Sequence, residues 1–477
     1  MRRFLLFTVL SFVAFGNIFA GVKVVVFSDP HIIKEGTSSS IGVNTSRNES
    51  ISDTKMTDLS NDLVDEMILK IKNVIKPDVV LVTGDLTENG DSLSHSLMAK
   101  KLQALADGGI SVCVVPGNHD IGRLVLKDSL IQITRAIFLN KSKDIFRNTY
   151  SFAGYDDASM KDPNSLSYIR EIAPGLVLAA IDSHSGVVSE ETLKWIEDKV
   201  ESAKKFGKTV FAMMHHPLFP HYTGVELMNS KAVVYNWENV RNRLADAGVR
   251  MILTGHLHTS DVATDFNADL SKSIVDVSTG SLATYPCNYR VLEFSDDLFE
   301  VNVSTGRIEI FRDGENFQAY AKNRLRESVV ELAGKQDNIL HIMPSTVADI
   351  FMVHVEGNEE MNSETERVLS GIKNLVDLAR SFDLWDDEDL DMVENMTNSV
   401  LRDVSNYGDS DRENKTDDLS LKISLKDVVS SVHSIEKETD EAKYYDLLGR
   451  KTVPSRKGLY IRKDGKAKKI VVTTNIY

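Results

Sequence analysis

The chain contains very little cysteine and no excess of positive charge, and each absence excludes a class of protein. Its 477 residues include two cysteines, Cys113 and Cys287. A single disulfide remains open to them, but a disulfide framework is excluded, so a hydrophobic core must hold the fold together. The formal net charge is −15 at pH 7. Nucleic-acid binders usually carry a basic face, so this balance argues against a nucleic-acid polymer as partner and still allows a small phosphoester.

Long hydrophobic runs are also missing, except at the amino terminus. Residues 1–20 place two arginines before a single apolar stretch, and Ala20 and Gly21 supply small residues at a cleavage position. This pattern predicts a secretory signal peptide, with an uncleaved membrane anchor as the alternative. No later segment is long and apolar enough to cross a bilayer. We therefore expect an exported protein, secreted, periplasmic or on the cell surface, without a transmembrane span in its mature chain.

Short hydrophobic runs, each followed by polar residues, are the strongest pattern that is present. The runs are VKVVVFS, DVVLVTG, SVCVVPG, TVFAMM and VRMILTG. They are apolar on both faces, as buried parallel strands are, and helical patterns lie between them. This alternation predicts an α/β domain. Polar residues that follow the strands of such a sheet gather in one crevice outside the carboxyl ends of the strands.

The residues that follow these runs are of the types that bind divalent metals. They are Asp29, His31, Asp85, Asn118, His119, Asp120, His215, His216, His256 and His258. Imidazole, carboxylate and amide oxygen together suit first-row transition ions. Asp29 and His31 are two residues apart, as are His256 and His258, so each pair can place both side chains on one face. Asp85 has two carboxylate oxygens and could bridge two ions.

The pattern predicts the chemistry of a two-metal hydrolase. Two ions about 3.5–4 Å apart can clamp the attacking and leaving oxygens of a phosphoryl transfer. Metals also lower the pKa of bound water, so that hydroxide is available near neutral pH. The leaving alkoxide needs an acid, and His119 stands beside Asn118 and can donate a proton at working pH. Gly84, Gly117 and Gly255 precede the ligands and allow sharp turns or a close approach of the backbone.

Other polar residues near these motifs have open roles. His221 follows the His-His-Pro motif in a loop that could face the substrate. Asp120 either orients a neighbouring histidine by a hydrogen bond or caps a helix. Residues 34–58 are rich in Ser, Thr, Asn and Gly, which predicts a loop over the crevice.

The chain divides into regions of different character. Residues 21–311 hold the strand-and-helix pattern, and residues 312–435 are mainly helical, with a polar linker at 405–420. Residues 436–477 have the pattern of a small module of short strands joined by turns. We therefore predict one α/β domain, a helical region and a small carboxyl-terminal β-rich module.

The metal-ligand clusters together resemble the motif set of the calcineurin-like metallophosphoesterases. They are Asp29-x-His31, Gly84-Asp85, Gly117-Asn118-His119-Asp120, His215-His216-Pro217 and Gly255-His256-x-His258. The resemblance spans residues 21–310 and implies a four-layer α/β/β/α sandwich with a dinuclear site. It implies two divalent or mixed-valence ions of iron, manganese, zinc or cobalt.

Carried over residue by residue, the resemblance implies the role of each side chain. One ion would bind Asp29, His31, Asp85 and His258, and the other would bind Asp85, Asn118, His215 and His256. His119 would be the acid for the leaving group. His215 stands directly after the strand, where the family has its ligand, so His216 is left with a structural or substrate-facing role.

Within the family, the chain is most similar to the class III cyclic-nucleotide phosphodiesterases. The similarity lies in Gly-Asp-Leu-Thr at 84–87, Gly90, Asn-His-Asp and His-His-Pro. Purple acid phosphatases have a tyrosine where this chain has Glu88, and the Asn-His-Glu-Phe-Asp signature of secreted 5′-nucleotidases is absent. The resemblance thus implies a phosphodiesterase. A phosphomonoesterase on the same scaffold and a surface binding protein are the alternatives. The last segment, around Tyr445, resembles the short terminal modules of exported Bacteroidetes proteins.

Overall fold

The computed structural model describes most of the chain between residues 21 and 426 and four short strands beyond it. The described ranges are 21–34, 54–121, 132–156, 160–221, 231–309, 316–335, 344–357, 363–382 and 418–426, with single positions between 390 and 394. Residues 1–427 and 428–477 form two compact units. The predicted signal peptide and most of the predicted loop at 34–58 lie outside the described residues.

The first sheet of the larger unit carries the amino-terminal motifs. Its strands are β1 (Lys23–Phe27), β2 (Val79–Val82), β3 (Ser111–Val114), β10 (Asn288–Phe294), β11 (Glu300–Arg307) and β12 (Ser420–Ser424). Their spatial order is β12-β11-β10-β1-β2-β3. Strands β1, β2 and β3 are parallel, and β1 pairs with β10 in the antiparallel sense. The carboxyl ends of three adjacent strands therefore meet at one edge.

The second sheet carries the histidine motifs of the later sequence. Its strands are β4 (Tyr168–Ala173), β5 (Leu176–Ala180), β6 (Thr209–Met213), β7 (Met251–Thr254), β8 (Asp261–Phe266) and β9 (Ser273–Ser278). Their order is β4-β5-β6-β7-β9-β8. The central strands β5, β6, β7 and β9 are parallel, and β4 and β8 are antiparallel at the two edges. This arrangement brings the ends of β6 and β7 side by side.

Helices cover the outer sides of both sheets. They are α1 (Ser60–Lys70, continued by a π turn at Ile71–Ile75), α2 (Ser92–Ala106), α3 (Gln132–Thr149), α4 (Glu190–Lys205) and α5 (Trp237–Ala247). Alternate residues of a strand point to opposite faces, so neighbouring residues of β5 belong to different cores. Leu178 belongs to the core between the sheets, whereas Ala179 belongs to the core under α4 and α5. The ring centroids of Phe211 and Phe294, one from each sheet, are 5.4 Å apart. The structure confirms the predicted mixed α/β fold.

Beyond residue 311, helices lead to a strand that returns to the first sheet. The helices are α6 (Phe317–Gly334), α7 (Pro344–Val355) and α8 (Ser363–Ser381). Strand β12 pairs with β11 and places Ile423 opposite Val301. The guanidinium of Arg324 in α6 lies 2.6 Å from the carboxylate of Asp58. The larger unit therefore continues to Asp427. The division of the chain at residue 311 stays a prediction.

The smaller unit contains one antiparallel sheet. Its strands are β13 (Lys443–Tyr445), β14 (Lys451–Thr452), β15 (Gly458–Asp464) and β16 (Ala467–Thr473), in the order β14-β13-β15-β16. In the portion of the chain that the structure describes, no helix has the length and hydrophobicity needed to cross a membrane.

Candidate metal centre

The predicted ligands come together from the ends of five strands. They follow β1 (Asp29, His31), β2 (Asp85), β3 (Asn118), β6 (His215) and β7 (His256, His258). Three overlapping groups have possible ligand atoms within 4.8 Å of one another: Asp29 with His31 and His258, His31 with Asp85 and His119, and Asp85 with His215 and His256. The first and third groups correspond to the two ion sites that the family resemblance implies, and Asp85 and His31 connect them through the second group.

Asp85 occupies the middle of the cluster. Its Oδ2 lies 3.6 Å from Nε2 of His31 and 3.4 Å from Nε2 of His215, which belong to different groups. Its Oδ1 accepts a hydrogen bond of 2.7 Å from the backbone N–H of His119. One oxygen is therefore anchored to the backbone and the other faces both groups, as a bridging carboxylate requires.

Asp29 is held in a similar way. Its Oδ2 accepts hydrogen bonds from the hydroxyl of Ser28 and, at 3.0 Å, from the backbone N–H of His256. Its Oδ1 is buried and, among the described residues, accepts no hydrogen bond. That oxygen lies 3.3 Å from Nε2 of His258. A buried carboxylate oxygen without a donor is destabilising unless a cation or a proton compensates its charge.

Backbone carbonyls determine which nitrogen of three histidines faces the cluster. Nδ1 of His215 lies 2.9 Å from the carbonyl of Thr83, and Nε2 of His256 lies 3.0 Å from the carbonyl of Lys231. Nδ1 of His119 lies 2.8 Å from the carbonyl of Glu88. A carbonyl can only accept, so each of these ring nitrogens donates its hydrogen. The other nitrogen of each neutral ring is then a lone-pair donor, as metal binding needs.

The cluster fits cations because ring nitrogens and carboxylate and amide oxygens, which all have lone pairs, face one another. Nε2 of His215, the nitrogen that faces the cluster, lies 3.0 Å from Oδ1 of Asn118 and 3.4 Å from Oδ2 of Asp85. Nε2 of His31 lies 3.2 Å from Nε2 of His258. Burial alone would lower the pKa of His215, but the carboxylates of Asp85 and Asp29 raise it to about 9. This donor set of imidazole, carboxylate and amide oxygen fits two divalent transition ions.

The backbone is strained at the predicted ligands. Nine non-glycine residues in the described chain have positive φ, and five of them are predicted ligands: Asp29 (51°), His31 (44°), Asp85 (47°), His256 (68°) and His258 (61°). Positive φ is uncommon for residues with a Cβ atom, and such strain concentrates at functional sites. This clustering supports a functional role for the five positions without reference to their side-chain chemistry.

Three glycines let the backbone approach the ligands, as predicted. A Cβ atom on Gly84, whose φ is +102°, would lie 2.5 Å from Nδ1 of His215. A Cβ atom on Gly117 would overlap Oδ1 of Asp85, and one on Gly255 would overlap the side chain of Ser28. Any larger residue at these positions would displace a ligand or the residue that holds it.

Glu88 is a site residue that the sequence interpretation missed. Its Oε2 lies 2.7 Å from Nδ1 of His31, and both of its carboxylate oxygens lie 2.9 Å from Nζ of Lys55. A carboxylate on the outer nitrogen of a ligand histidine fixes the ring orientation and increases its basicity. In the sequence, Glu88 stood out only because purple acid phosphatases have a tyrosine at this position. Its position three residues after Asp85 was the available signal.

The substitution Glu88→Gln is expected to weaken metal binding by about 10–100-fold, the usual effect of removing such a partner. Titration of metal-free protein with Mn²⁺ in a calorimeter measures the affinity. Glu171→Gln is the matched control, because Glu171 forms an exposed ion pair of 2.6 Å with Lys208. Unchanged affinity in the Glu88 variant would contradict this role.

Asp120 has a role that neither predicted alternative described. Its carboxylate accepts hydrogen bonds of 2.9–3.0 Å from the backbone N–H groups of Leu86, Thr87 and Gly117 and from the hydroxyl of Thr87. It therefore ties the loop that carries Asp85 to the loop that carries Asn118.

The two remaining candidates differ in their surroundings. His216 packs against the ring of His256, with centroids 4.3 Å apart, and its Nδ1 lies 3.3 Å from the hydroxyl of Ser183. Its structural or substrate-facing role stays a prediction. His221 is fully buried, and its two ring nitrogens face the carboxylates of Asp261 and Asp276 at 3.5 and 3.2 Å. Both polar atoms are thereby directed to the protein interior, which corrects the expectation that His221 faces the substrate.

Comparisons with known proteins agree with this geometry. The model of the family described as "Calcineurin-like phosphoesterase" matches residues 22–260. A protein of Fibrobacter succinogenes named "Probable cyclic nucleotide phosphodiesterase" is 24% identical over 241 residues, which cover 50% of this chain and 76% of that protein.

Two further relatives match this chain over different shares of their own length. A protein of Arcobacter nitrofigilis named "Probable glycerophosphodiester phosphodiesterase" is 30% identical over 202 residues, 40% of this chain and 60% of that protein. A protein of Xenorhabdus bovienii named "Probable cyclic nucleotide phosphodiesterase" is 25% identical over 293 residues, 58% of this chain and 97% of that protein. The similarity to these proteins is confined to about half of the present chain.

Proposed function

This chain belongs to the calcineurin-like phosphoesterase family, and on that premise we propose that it is an exported two-metal hydrolase of phosphodiesters. The observation that supports the proposal most is the position of Asp85. Its Oδ2 lies within 3.6 Å of histidine nitrogens from both ligand groups. Export is supported by the amino-terminal sequence. Amino-terminal sequencing should show that the exported protein begins near Gly21. An intact Met1 would contradict cleavage of a signal peptide.

The residues that would hold the ions follow from the two groups. Asp29, His31 and His258 would hold the first, Asn118, His215 and His256 would hold the second, and Asp85 would contact both. Bound ions of this kind supply Lewis-acid stabilisation of the phosphoryl oxygens and a water of lowered pKa. The protein's own contribution is to orient the ligand atoms through hydrogen bonds to backbone groups and to exclude solvent. Asp29, His31 and His215 are completely buried.

His119 is placed to serve as the acid for the leaving group. Its Nδ1–H is committed to the carbonyl of Glu88, so Nε2 is the atom that can transfer a proton. Burial lowers the pKa of His119 to about 3, an effect that the Asp85 carboxylate opposes. The negative charge of a bound phosphoester would also oppose this lowering of the pKa, since an opposite charge stabilises the charged form. We infer that His119 is protonated at Nε2 in the substrate complex and transfers that proton to the departing oxygen.

A diester is the favoured substrate for a chemical reason. The alkoxide that leaves a diester is a poor leaving group and gains most from a positioned acid. The names of the relatives, cyclic-nucleotide and glycerophosphodiester phosphodiesterases, point to the same class. An exported enzyme would meet extracellular nucleotides, phospholipid head groups or glycerophosphodiesters.

Turnover of bis-p-nitrophenyl phosphate and of p-nitrophenyl phosphate separates the candidate functions. The manganese-loaded protein is expected to show at least about a tenfold higher kcat/KM for the diester, equivalent to about 1.4 kcal/mol of transition-state stabilisation. Faster hydrolysis of the monoester would favour the phosphomonoesterase. Absence of turnover with either compound, and with a broad phosphoester panel, would favour a binding protein on the same scaffold.

A further inference from the structure

A buried aspartate outside the ligand set lies in the middle of the second sheet. Asp276 belongs to β9, where it is level with Ile252 of β7 on one side and Ala263 of β8 on the other. Its side chain is completely buried. Burying a carboxylate in a central strand is unfavourable unless hydrogen bonds and an opposite charge compensate it. The neighbours of Asp276 should therefore supply these hydrogen bonds and this charge.

The carboxylate of Asp276 is bonded to both segments that carry histidines of the second ion. Oδ2 accepts a hydrogen bond of 2.7 Å from the backbone N–H of Leu218, three residues after His215. Oδ1 accepts a hydrogen bond of 2.6 Å from the hydroxyl of Thr254, two residues before His256. One side chain thus fixes the distance between the loop after β6 and the end of β7.

His221 supplies the compensating charge. Its Nε2 lies 3.2 Å from Oδ2 of Asp276, and its Nδ1 lies 3.5 Å from Oδ2 of Asp261. Burial alone would lower the pKa of His221, but the two carboxylates raise it to about 10. The ring therefore carries a positive charge at neutral pH and lies beside the Asp276 carboxylate, which it compensates.

We propose that Asp276 is a positioning residue for the second ion and that His221 holds Asp276 in place. The proposal rests on the proposed two-metal function. The contacts described for Asp276 and His221 lead to Leu218, Thr254 and Asp261, so their effect passes through the loops that carry His215 and His256. The first ion shares the loop after β7 through His258 and through the His256 N–H that donates to Asp29, but Asp29 and His31 are also held by contacts to Ser28 and Glu88. Loss of Asp276 should consequently affect the two ions unequally.

Titration of the metal-free full chain with Mn²⁺ in a calorimeter tests this proposal. Wild type is expected to show two sites. In Asp276→Ala, one site should weaken by about 10–100-fold, the usual effect of losing such a partner, while the other changes by less than about threefold. His215→Ala identifies the weakened site, because it removes a ligand of the second ion directly.

Two further variants keep the test independent of folding. Asp276→Asn has nearly the same shape and retains one oxygen for Leu218 or Thr254, so a smaller loss at the same site is expected. Asp162→Ala is the matched control. Asp162 is also buried and accepts hydrogen bonds from a backbone N–H and from the hydroxyls of Ser165 and Thr192. The Asp162→Ala variant should bind both ions with wild-type affinity.

The outcomes distinguish this inference from the function it rests on. Two sites of wild-type affinity in Asp276→Ala, or in a folded Asp276→Asn when the alanine variant does not fold, would overturn the positioning role. Equal weakening of both sites, or the same loss in Asp162→Ala, would overturn it as well. Failure of the wild-type chain to bind two ions would overturn the proposed function itself and the inference with it.

Discussion

Asp85→Asn is expected to lower kcat/KM for phosphodiesters by at least about a thousandfold, because a bridging ligand supports several kcal/mol of transition-state stabilisation. The substitution keeps the shape of the side chain and the oxygen that accepts the hydrogen bond from His119. It removes the negative charge and the second equivalent oxygen that faces His31 and His215. Both ions should therefore bind more weakly, and steady-state kinetics together with elemental analysis of the purified variant measures the two effects.

The control for Asp85 is an aspartate that is chemically equivalent and remote. Asp198 is exposed and pairs with Lys194 on the same helix at 3.1 Å. Asp198→Asn removes the same charge from the protein and should leave activity and metal content unchanged. An Asp85 variant that retained two ions and full activity would show that this carboxylate does not connect the sites.

His119→Ala is expected to show a loss that depends on the leaving group. Removing a general acid typically lowers the rate by about 10²–10⁴-fold. A diester with an alkyl leaving group should show a loss in that range, because its alkoxide cannot depart without a proton. The p-nitrophenolate ion is a stable leaving group, so bis-p-nitrophenyl phosphate should show a much smaller loss. The ratio of kcat/KM for the two diesters, measured on wild type and variant, isolates the role of the acid.

The same pair of substrates also distinguishes an acid from a ligand. His119 lies within the group that contains His31 and Asp85, with its Nε2 3.9 Å from Oδ2 of Asp85. If His119 chiefly held an ion, both diesters would lose activity equally, and the metal content of the variant would fall. An equal loss with both substrates would therefore contradict the assignment as acid.

The strand ends could be predicted from the sequence because the pattern there is local. A run such as VKVVVFS is apolar on both faces, and the polar residues that follow it must leave the sheet at its edge. The close approach at Gly117 could also be anticipated, since a glycine before a ligand removes the Cβ atom that would overlap Asp85. These features depend on neighbours in the sequence, which the sequence displays directly.

The residues that support the ligands could not be predicted in the same way. The partner of Glu88 is His31, and the partner of Asp276 is Leu218, in each case across more than fifty positions of the chain. Such contacts depend on strand register and loop conformation, which no local pattern encodes. His221 was misjudged for this reason, because its motif lies next to ligands in sequence while its ring points to buried aspartates.

The extent of the larger unit also depends on a contact that no local pattern encodes. Strand β12 has a short, partly polar sequence, SLKIS, inside a region predicted to be helical and linker. It joins the first sheet because the exposed edge of β11 offers unpaired backbone groups, and Val303 lies opposite Leu421. A strand that completes a sheet over a hundred residues later is determined by that edge more than by its own composition.

We propose that seven side chains surround a pair of ions, with Asp85 between them. Anomalous diffraction from crystals of the manganese-loaded protein tests it directly. Two peaks about 3.5–4 Å apart are expected, one beside Asp29, His31 and His258 and the other beside Asn118, His215 and His256. Both peaks should lie within ligand distance of the Asp85 carboxylate. A single peak, or ions bound away from Asp85, would contradict a two-metal centre bridged by this carboxylate.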